Sequence, residues 1–174
     1  MNSLRDPMNP TIELLKSHRS IRKFTGKKIP HEMLRELIRA GQCAATSNHV
    51  QAYSIIHVID RDNRRKIAEL AGGQDYIADC SDFLVFCADL RRSSMCCEMH
   101  DKTAVEGMTE HFMIATIDVA LFAQNVVVAA ESSDLGICYI GGIRNDPQRA
   151  ADLIKLPRGV YPVFGLCLGY PAQD

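Results

Sequence analysis

The run FMIATIDVALFAQNVVVAA, Phe112 to Ala130, sets the terms of the fold. It is apolar on nearly every side of a helix and long enough to span a bilayer. Asp118, Gln124 and Asn125 interrupt it, each costly at bilayer depth, and Glu131 and Asp134 follow at once. It therefore reads as the interior helix of a soluble protein, within a helix from Thr103 to Ser133 that Gly136 ends. One layer of partners in a chain of 174 residues struggles to cover such a helix. Burial on two sides is expected, by a core and by a second subunit. Coverage of the whole helix by one domain is the alternative.

Shorter elements surround this helix. Pro10 to Ser17 predicts a helix with Ile12, Leu14 and Leu15 on its apolar face. Thr25 to Ile29 is turn-like. Pro30 opens an amphipathic helix with Met33, Leu34, Leu37, Ile38 and Gly41 inward and Glu32, Arg35, Glu36 and Arg39 outward. Thr46 to Gln51 is a polar loop. Tyr53 to Ile59 and Phe83 to Ala88 are β-branched or apolar runs that predict buried strands. Between them Asp60 caps a helix from Arg61 to Leu70, and Gly72-Gly73 stops it. Leu90 to Lys102 has no clear period and predicts a mobile excursion. Ile137 to Gly142 is a short strand ending in two glycines. Asp146 caps and Pro147 starts a helix through Leu156, and Val160 to Leu168 is the last strand. Without repeat or linker, four strands among unequal helices predict a single α+β domain over residues 1–174.

Twenty Lys and Arg stand against 21 Asp and Glu, so no basic surplus argues for a nucleic-acid partner. Trp is absent and aromatic residues make up 6%, which disfavours base-stacking platforms. Several of the seven cysteines lie inside apolar runs, as in Phe83 to Cys87 and Gly165 to Cys167. Met1 to Pro10 is polar, with no apolar stretch of a signal peptide. A reducing, cytoplasmic setting is the expectation. The dinucleotide fingerprint, the P-loop, the GxSxG elbow and CxxC are all absent. Cys96-Cys97-Glu98-Met99-His100 carries ligand-type residues, but adjacent cysteines do not easily point at one metal, so no metal site is expected.

Three stretches carry chemistry. His18-Arg19-Ser20-Ile21-Arg22 packs forked cationic donors, a hydroxyl and an imidazole into five residues, the donor set of a phosphate site. An Arg there would also favour negative charge developing on an electron-poor ring. A solvated basic turn is the alternative. Thr46-Ser47-Asn48-His49-Val50-Gln51 offers hydroxyls and amides suited to a heterocycle edge, or to a capping loop. Tyr139-Ile140-Gly141-Gly142 ends a strand with glycines that permit close backbone approach to a flat ligand, or a turn. Gly72-Gly73-Gln74 is a helix stop with an amide attached.

Together with Val163 to Pro171, these stretches resemble the nitroreductase family of flavoproteins, in the family's order and over Pro10 to Asp174. The similarity is greatest to its oxygen-insensitive NADPH nitroreductase and flavin reductase subgroup. The resemblance implies an α+β homodimer, with a central mostly antiparallel sheet flanked by helices and the apolar helix as dimer helix. FMN would lie at the subunit interface. By position, His18, Arg19 and Ser20 would hold its phosphate, with Ile21 between them and Arg22. Arg22 would sit by the N1 and O2 side, where negative charge gathers on reduction. Thr46, Ser47 and Asn48 match the polar loop that crosses to the flavin, Gln74 an amide near the ring edge, and Tyr139, Ile140, Gly141 and Gly142 the backbone over the ring face. The sequence ends at Asp174, before the Lys-x-Arg segment and the C-terminal extension of the family. Two fewer cations in the cradle, each charge-assisted bond worth on the order of 1.5–3 kcal/mol, lead to an expectation of weak flavin affinity.

The expected activity is an FMN oxidoreductase with a ping-pong cycle. NAD(P)H delivers hydride, and a nitroaromatic, a quinone or free flavin then receives the electrons. No obligatory protein acid or base is implied. A truncated, non-catalytic flavin- or nucleotide-binding protein of the same fold is the second reading. A purely structural dimerisation module is the third.

Overall fold

The computed structural model describes residues 9–173. Met1 to Met8 and Asp174, which bear on the readings of a leaderless start and an early stop, lie outside the described residues. The strands are β1 (Tyr53–His57), β2 (Asp82–Asp89), β3 (Gly136–Ile140) and β4 (Val160–Gly169). They form one antiparallel sheet in the order β1-β2-β4-β3. β2 is buried along its whole length, so its sequence reads as a continuous apolar run rather than an alternation. Its side chains still divide by the two-residue period. Leu84, Phe86 and Ala88 belong to one core cluster; Phe83, Val85 and Cys87 belong to the other.

Helices cover both faces. On the Phe86 side lie α2 (His31–Gln42) and the long α6 (Thr109–Glu131). On the Phe83 side lie α3 (Arg61–Leu70) and α7 (Pro147–Leu153), with the four-residue α4 (Tyr76–Asp79). This is the α+β architecture the sequence predicts. α6 buries Ala115, Val119, Phe122, Ala123, Val126, Val127 and Ala130 against the sheet and α2. Gly41 of α2 allows that approach: a Cβ there would stand 2.6 Å from Val126 Cγ2 and 2.7 Å from Phe122 Cε2. On the opposite side of α6, Met113, Ile117 and Leu121 remain 49%, 48% and 44% exposed. The described residues therefore leave one side of the helix uncovered.

Several boundaries differ from the sequence reading. Leu90 to Lys102, read as a mobile excursion without a clear period, contains a regular helix, α5 (Arg91–Glu98). α5 buries none of its residues, so no apolar stripe marked it; Asp89 starts it by accepting the Arg92 N–H at 3.2 Å. α6 begins at Thr109, not Thr103, because Gly107 at φ 79° and an extended Met108 precede it. The last helix stops at Leu153, before Lys155 at φ 56°. α1 (Pro10–Lys16) forms as expected with Asn9 as its cap, yet it buries no residue, and Ile12 and Leu15 face outward.

Candidate functional site

β3 is an edge strand, and the basic segment lies against its free edge. The Ile21 N–H donates to Ile137 O at 2.8 Å, and Ser20 bridges Ile137 in parallel. Ile21 is buried against Gly136, where a Cβ would stand 2.6 Å from its Cγ1. Its role in the fold is to anchor the segment, leaving Arg19 and Arg22 exposed and Ser20 half-buried. His18 Nδ1 lies 2.5 Å from Glu131 Oε1 at the end of α6, tying the segment to that helix. Neither Arg19 nor Arg22 forms an ion pair among the described residues. Arg19 faces a hollow of about 380 Å³ bordered by Glu131, Leu135 and Pro171.

Arg22 lies near Tyr76, at the start of α4, and near Cys138 on β3. Burial raises the Tyr76 phenol, while the nearby Arg22 guanidinium pulls the other way. Burial also raises the Cys138 thiol on β3, and Arg22 again opposes this. The Tyr76 hydroxyl donates to Gln74 Oε1 at 2.6 Å, and Gln74 Nε2 donates to Ala71 O at 2.8 Å, so both ends of the Gln74 amide are held. Gly142 lies on the same Ala71: a Cβ on it would stand 2.6 Å from Ala71 O and 2.9 Å from its Cα. Gly72 and Gly73, at φ 91° and 79°, turn the chain from α3 toward Gln74. Arg22, Gln74, Tyr76, Cys138 and Gly142 thus form one neighbourhood beside β3.

The Tyr139–Gly142 stretch divides by direction. Tyr139 and Ile140 belong to opposite cores. The Tyr139 ring meets Phe164 edge-on at 5.0 Å, its hydroxyl reaches Gln124 Oε1 at 3.4 Å, and burial pushes its phenol up to about 12. Gly142 serves the contact with Ala71, whereas the space at Gly141 is bordered by the Arg144 guanidinium at 3.1 Å.

Thr46, Ser47 and Asn48 stand elsewhere. Their loop precedes β1, at the opposite edge of the sheet, and Ser47–His49 forms a 3₁₀ turn. Asn48, His49 and Gln51 all take positive φ, at 47°, 57° and 52°. The fully buried Asp118 of α6 accepts the Ser47 N–H at Oδ1, 3.0 Å, and the Ala52 N–H at Oδ2, 3.2 Å. Antiparallel pairing sets the start of β1 and the end of β3 at the same end of the sheet. They remain three strand spacings apart, about 14 Å. Within one chain the structure gathers His18, Arg19, Ser20, Ile21, Arg22, Gln74, Tyr139, Ile140, Gly141 and Gly142 along the β3 edge and leaves Thr46, Ser47 and Asn48 apart.

Two observations bear on the fit of a phosphate-bearing aromatic cofactor. The β3 edge holds two guanidinium groups, Arg19 and Arg22, without carboxylate partners among the described residues. Across the sheet, Thr46 Oγ1 is buried with no hydrogen-bond partner among the described residues, the sort of orphan that a ligand polar atom satisfies. The donor set fits such a group. A larger cleft of about 720 Å³, between α5 and the start of α6, is bordered by Val50 of the polar stretch but by none of the residues that the resemblance assigns to the flavin. Among the described residues no group of three or more His, Cys, Asp or Glu could hold a metal ion. Sequence reasoning missed Tyr76, Glu131 and the role of Asp118. Only Asp118 carried a signal, as the lone acid in an apolar run.

The nitroreductase family model matches residues 15–170. The FMN reductase (NADPH) of Bacillus subtilis is 47% identical over 168 residues, covering 95% of this chain and 68% of that protein. The oxygen-insensitive NADPH nitroreductase of Salmonella typhimurium is 42% identical over 167 residues, with coverage of 96% and 68%. Among solved structures, the NfrA1 nitroreductase of B. subtilis superposes with a TM-score of 0.92 at 46% identity, over 94% of this chain and 67% of that one. The Vibrio harveyi NADPH:FMN oxidoreductase complexed with NAD+ gives 0.91 at 40% identity, over 95% and 70%. The chain thus spans about two thirds of the length of each.

Proposed function

The chain belongs to the nitroreductase family, and on that premise we propose that it is an FMN-dependent oxidoreductase passing electrons from NAD(P)H to nitroaromatics, quinones or free flavin. The observation that carries this reading is the basic segment fastened to the β3 edge, with Arg22 beside Tyr76, Gln74 and Gly142. FMN, when bound, supplies the ring that accepts and returns hydride.

The chain's own residues bind and tune. His18, Arg19 and Ser20 hold the phosphate, with His18 steadied by Glu131. Arg22 offsets the negative charge that builds on reduction, and among the described residues its cation has no ion-pair partner. Gln74, held at both ends, presents a fixed amide edge. Tyr139 and Ile140 turn their side chains into the two cores, and with Gly141 and Gly142 they offer backbone at the end of β3. No side chain is needed as an obligatory acid or base.

Thr46, Ser47 and Asn48 enter from a second copy. The separation of the two polar groups and the exposed stripe of Met113, Ile117 and Leu121 on α6 support a homodimer. In it, a twofold axis sets the loop of one copy beside the β3 edge of the other. All seven cysteines are free, which suits a reducing cytoplasm.

The test is the purified protein itself. It is expected to be yellow, or to become so with FMN, and to consume NADPH or NADH when given a nitro compound or a quinone. A colourless protein that stays inactive at saturating FMN would refute the proposal. Flavin binding without nucleotide consumption would favour a non-catalytic flavin carrier.

A further inference from the structure

Asp118 is the only charged residue between Phe112 and Ala130, and it is completely buried. Aspartate is a poor helix former, and a buried carboxylate is costly unless its lone pairs are used. No cation pairs with it among the described residues. Its two oxygens instead accept the N–H groups of Ser47 and Ala52, at 3.0 and 3.2 Å. Those two residues bracket Asn48 to Gln51, the greater part of the polar loop.

Between these two bonds the loop is strained. Asn48, His49 and Gln51 are non-glycine residues in the left-handed region, and Asn48, His49 and Val50 are exposed, so core packing does not hold them. Further support on this stretch comes from the Val50 N–H, which donates to Ser47 O at 2.9 Å, and from the Arg92 guanidinium, which donates to Gln51 O. The buried, unpartnered Thr46 Oγ1 is adjacent to the Ser47 bond.

We propose that Asp118 is the positioning residue of this loop: its carboxylate clamps it at Ser47 and Ala52 from the interior of α6 and so presents Thr46, Ser47 and Asn48, already ordered, to the flavin of a second copy. The inference rests on the flavin reading given above. A group that accepts at two points is required. Asparagine, nearly the same shape, supplies one acceptor and one donor, and its NH₂ would face a backbone N–H. Because the clamp orders the loop during folding, the cofactor need not meet that cost when it binds.

The test compares Asp118→Asn with the unaltered protein, both loaded with FMN. In the variant, the amides of Ser47 and Ala52 lose protection from hydrogen exchange while those of β2 and β4 keep theirs. The FMN dissociation constant rises at least tenfold, and kcat at saturating FMN stays within threefold. Gln51→Gly, which relieves left-handed strain, recovers at least threefold in affinity when added to Asp118→Asn. An FMN constant within twofold of the unaltered protein overturns the proposal, as does lost protection spreading through β2 and β4. Should Asp118→Asn give no folded protein, Asp118→Ser, smaller and keeping one acceptor, carries the same measurements; failure of both to fold assigns Asp118 to core stability and also overturns it. If the unaltered protein binds no FMN, yet Ser47 and Ala52 still lose protection in the variant, the flavin reading fails and the clamp stands.

Discussion

Replacing Gly142 with alanine drives a methyl group into the end of α3. Its Cβ would lie 2.6 Å from Ala71 O, 2.9 Å from Ala71 Cα and 3.0 Å from Ala71 Cβ, so one of the two backbones must move by roughly 0.5–1 Å to restore ordinary contact. Neither yields easily. Ala71 N–H is bonded to Ile67 O at 2.8 Å, its carbonyl accepts from Gln74, and Asn145 Nδ2 donates to the neighbouring Leu70 O at 3.2 Å. Overpacking of this kind costs about 1–3 kcal/mol, and for a domain of this size that lowers Tm by about 3–9 °C. Gly141→Ala is the control. Its methyl would meet Arg144 Nη2 at 3.1 Å, the far end of a flexible side chain, and a change within about 0.5 kcal/mol is expected. Neither glycine has a positive φ, so conformational strain does not enter. Urea and thermal unfolding followed by circular dichroism read both. Equal effects at the two positions, or a larger one at Gly141, would show that the close approach to Ala71 does not explain the second glycine.

Other expectations concern association and pH. Ile117→Glu or Leu121→Glu on the exposed side of α6 is expected to give a folded monomer in analytical ultracentrifugation with loss of flavin, since neither side chain supports the core of its own chain; a persistent dimer would place the interface elsewhere. The Tyr139 phenol is pushed from an ordinary value of 10.0 up to about 12 by burial, with Glu131 adding to the effect. The unfolded chain therefore loses this proton before the folded one, and its contribution to stability is complete below pH 10 and is lost as pH rises toward 12. In urea titrations across that window, the loss of stability should be shallower for Tyr139→Phe than for the unaltered protein; parallel curves would show that the phenol is not shielded.

Elements with an internal pattern were legible in the sequence. The continuous apolar run of β2 and the inward stripe of α2 are local consequences of burial, and Asp60 and Asp146 marked helix starts that the structure keeps, accepting the N–H groups of Asn63 and Arg149. α5 escaped because nothing on it is buried, and α4 because four residues are too few to show a period. In the candidate site, residue chemistry was readable and adjacency was not. His18 to Arg22 announced anion-binding donors, but nothing local tied His18 to Glu131, 113 residues away, or Asp118 to Ser47, 71 residues away.

The amino-acid sequence alone determined the kinds of elements, the mixed α+β class and the class of ligand its basic cluster suits, because side-chain period and donor type are properties of short segments. Only the tertiary structure decided that Gly142 rests on Ala71, that Asp118 fastens a loop, and that the two polar groups stand at opposite edges of the sheet. These follow from the strand order β1-β2-β4-β3, which no local pattern encodes and which is settled only when both faces of the sheet are covered at once.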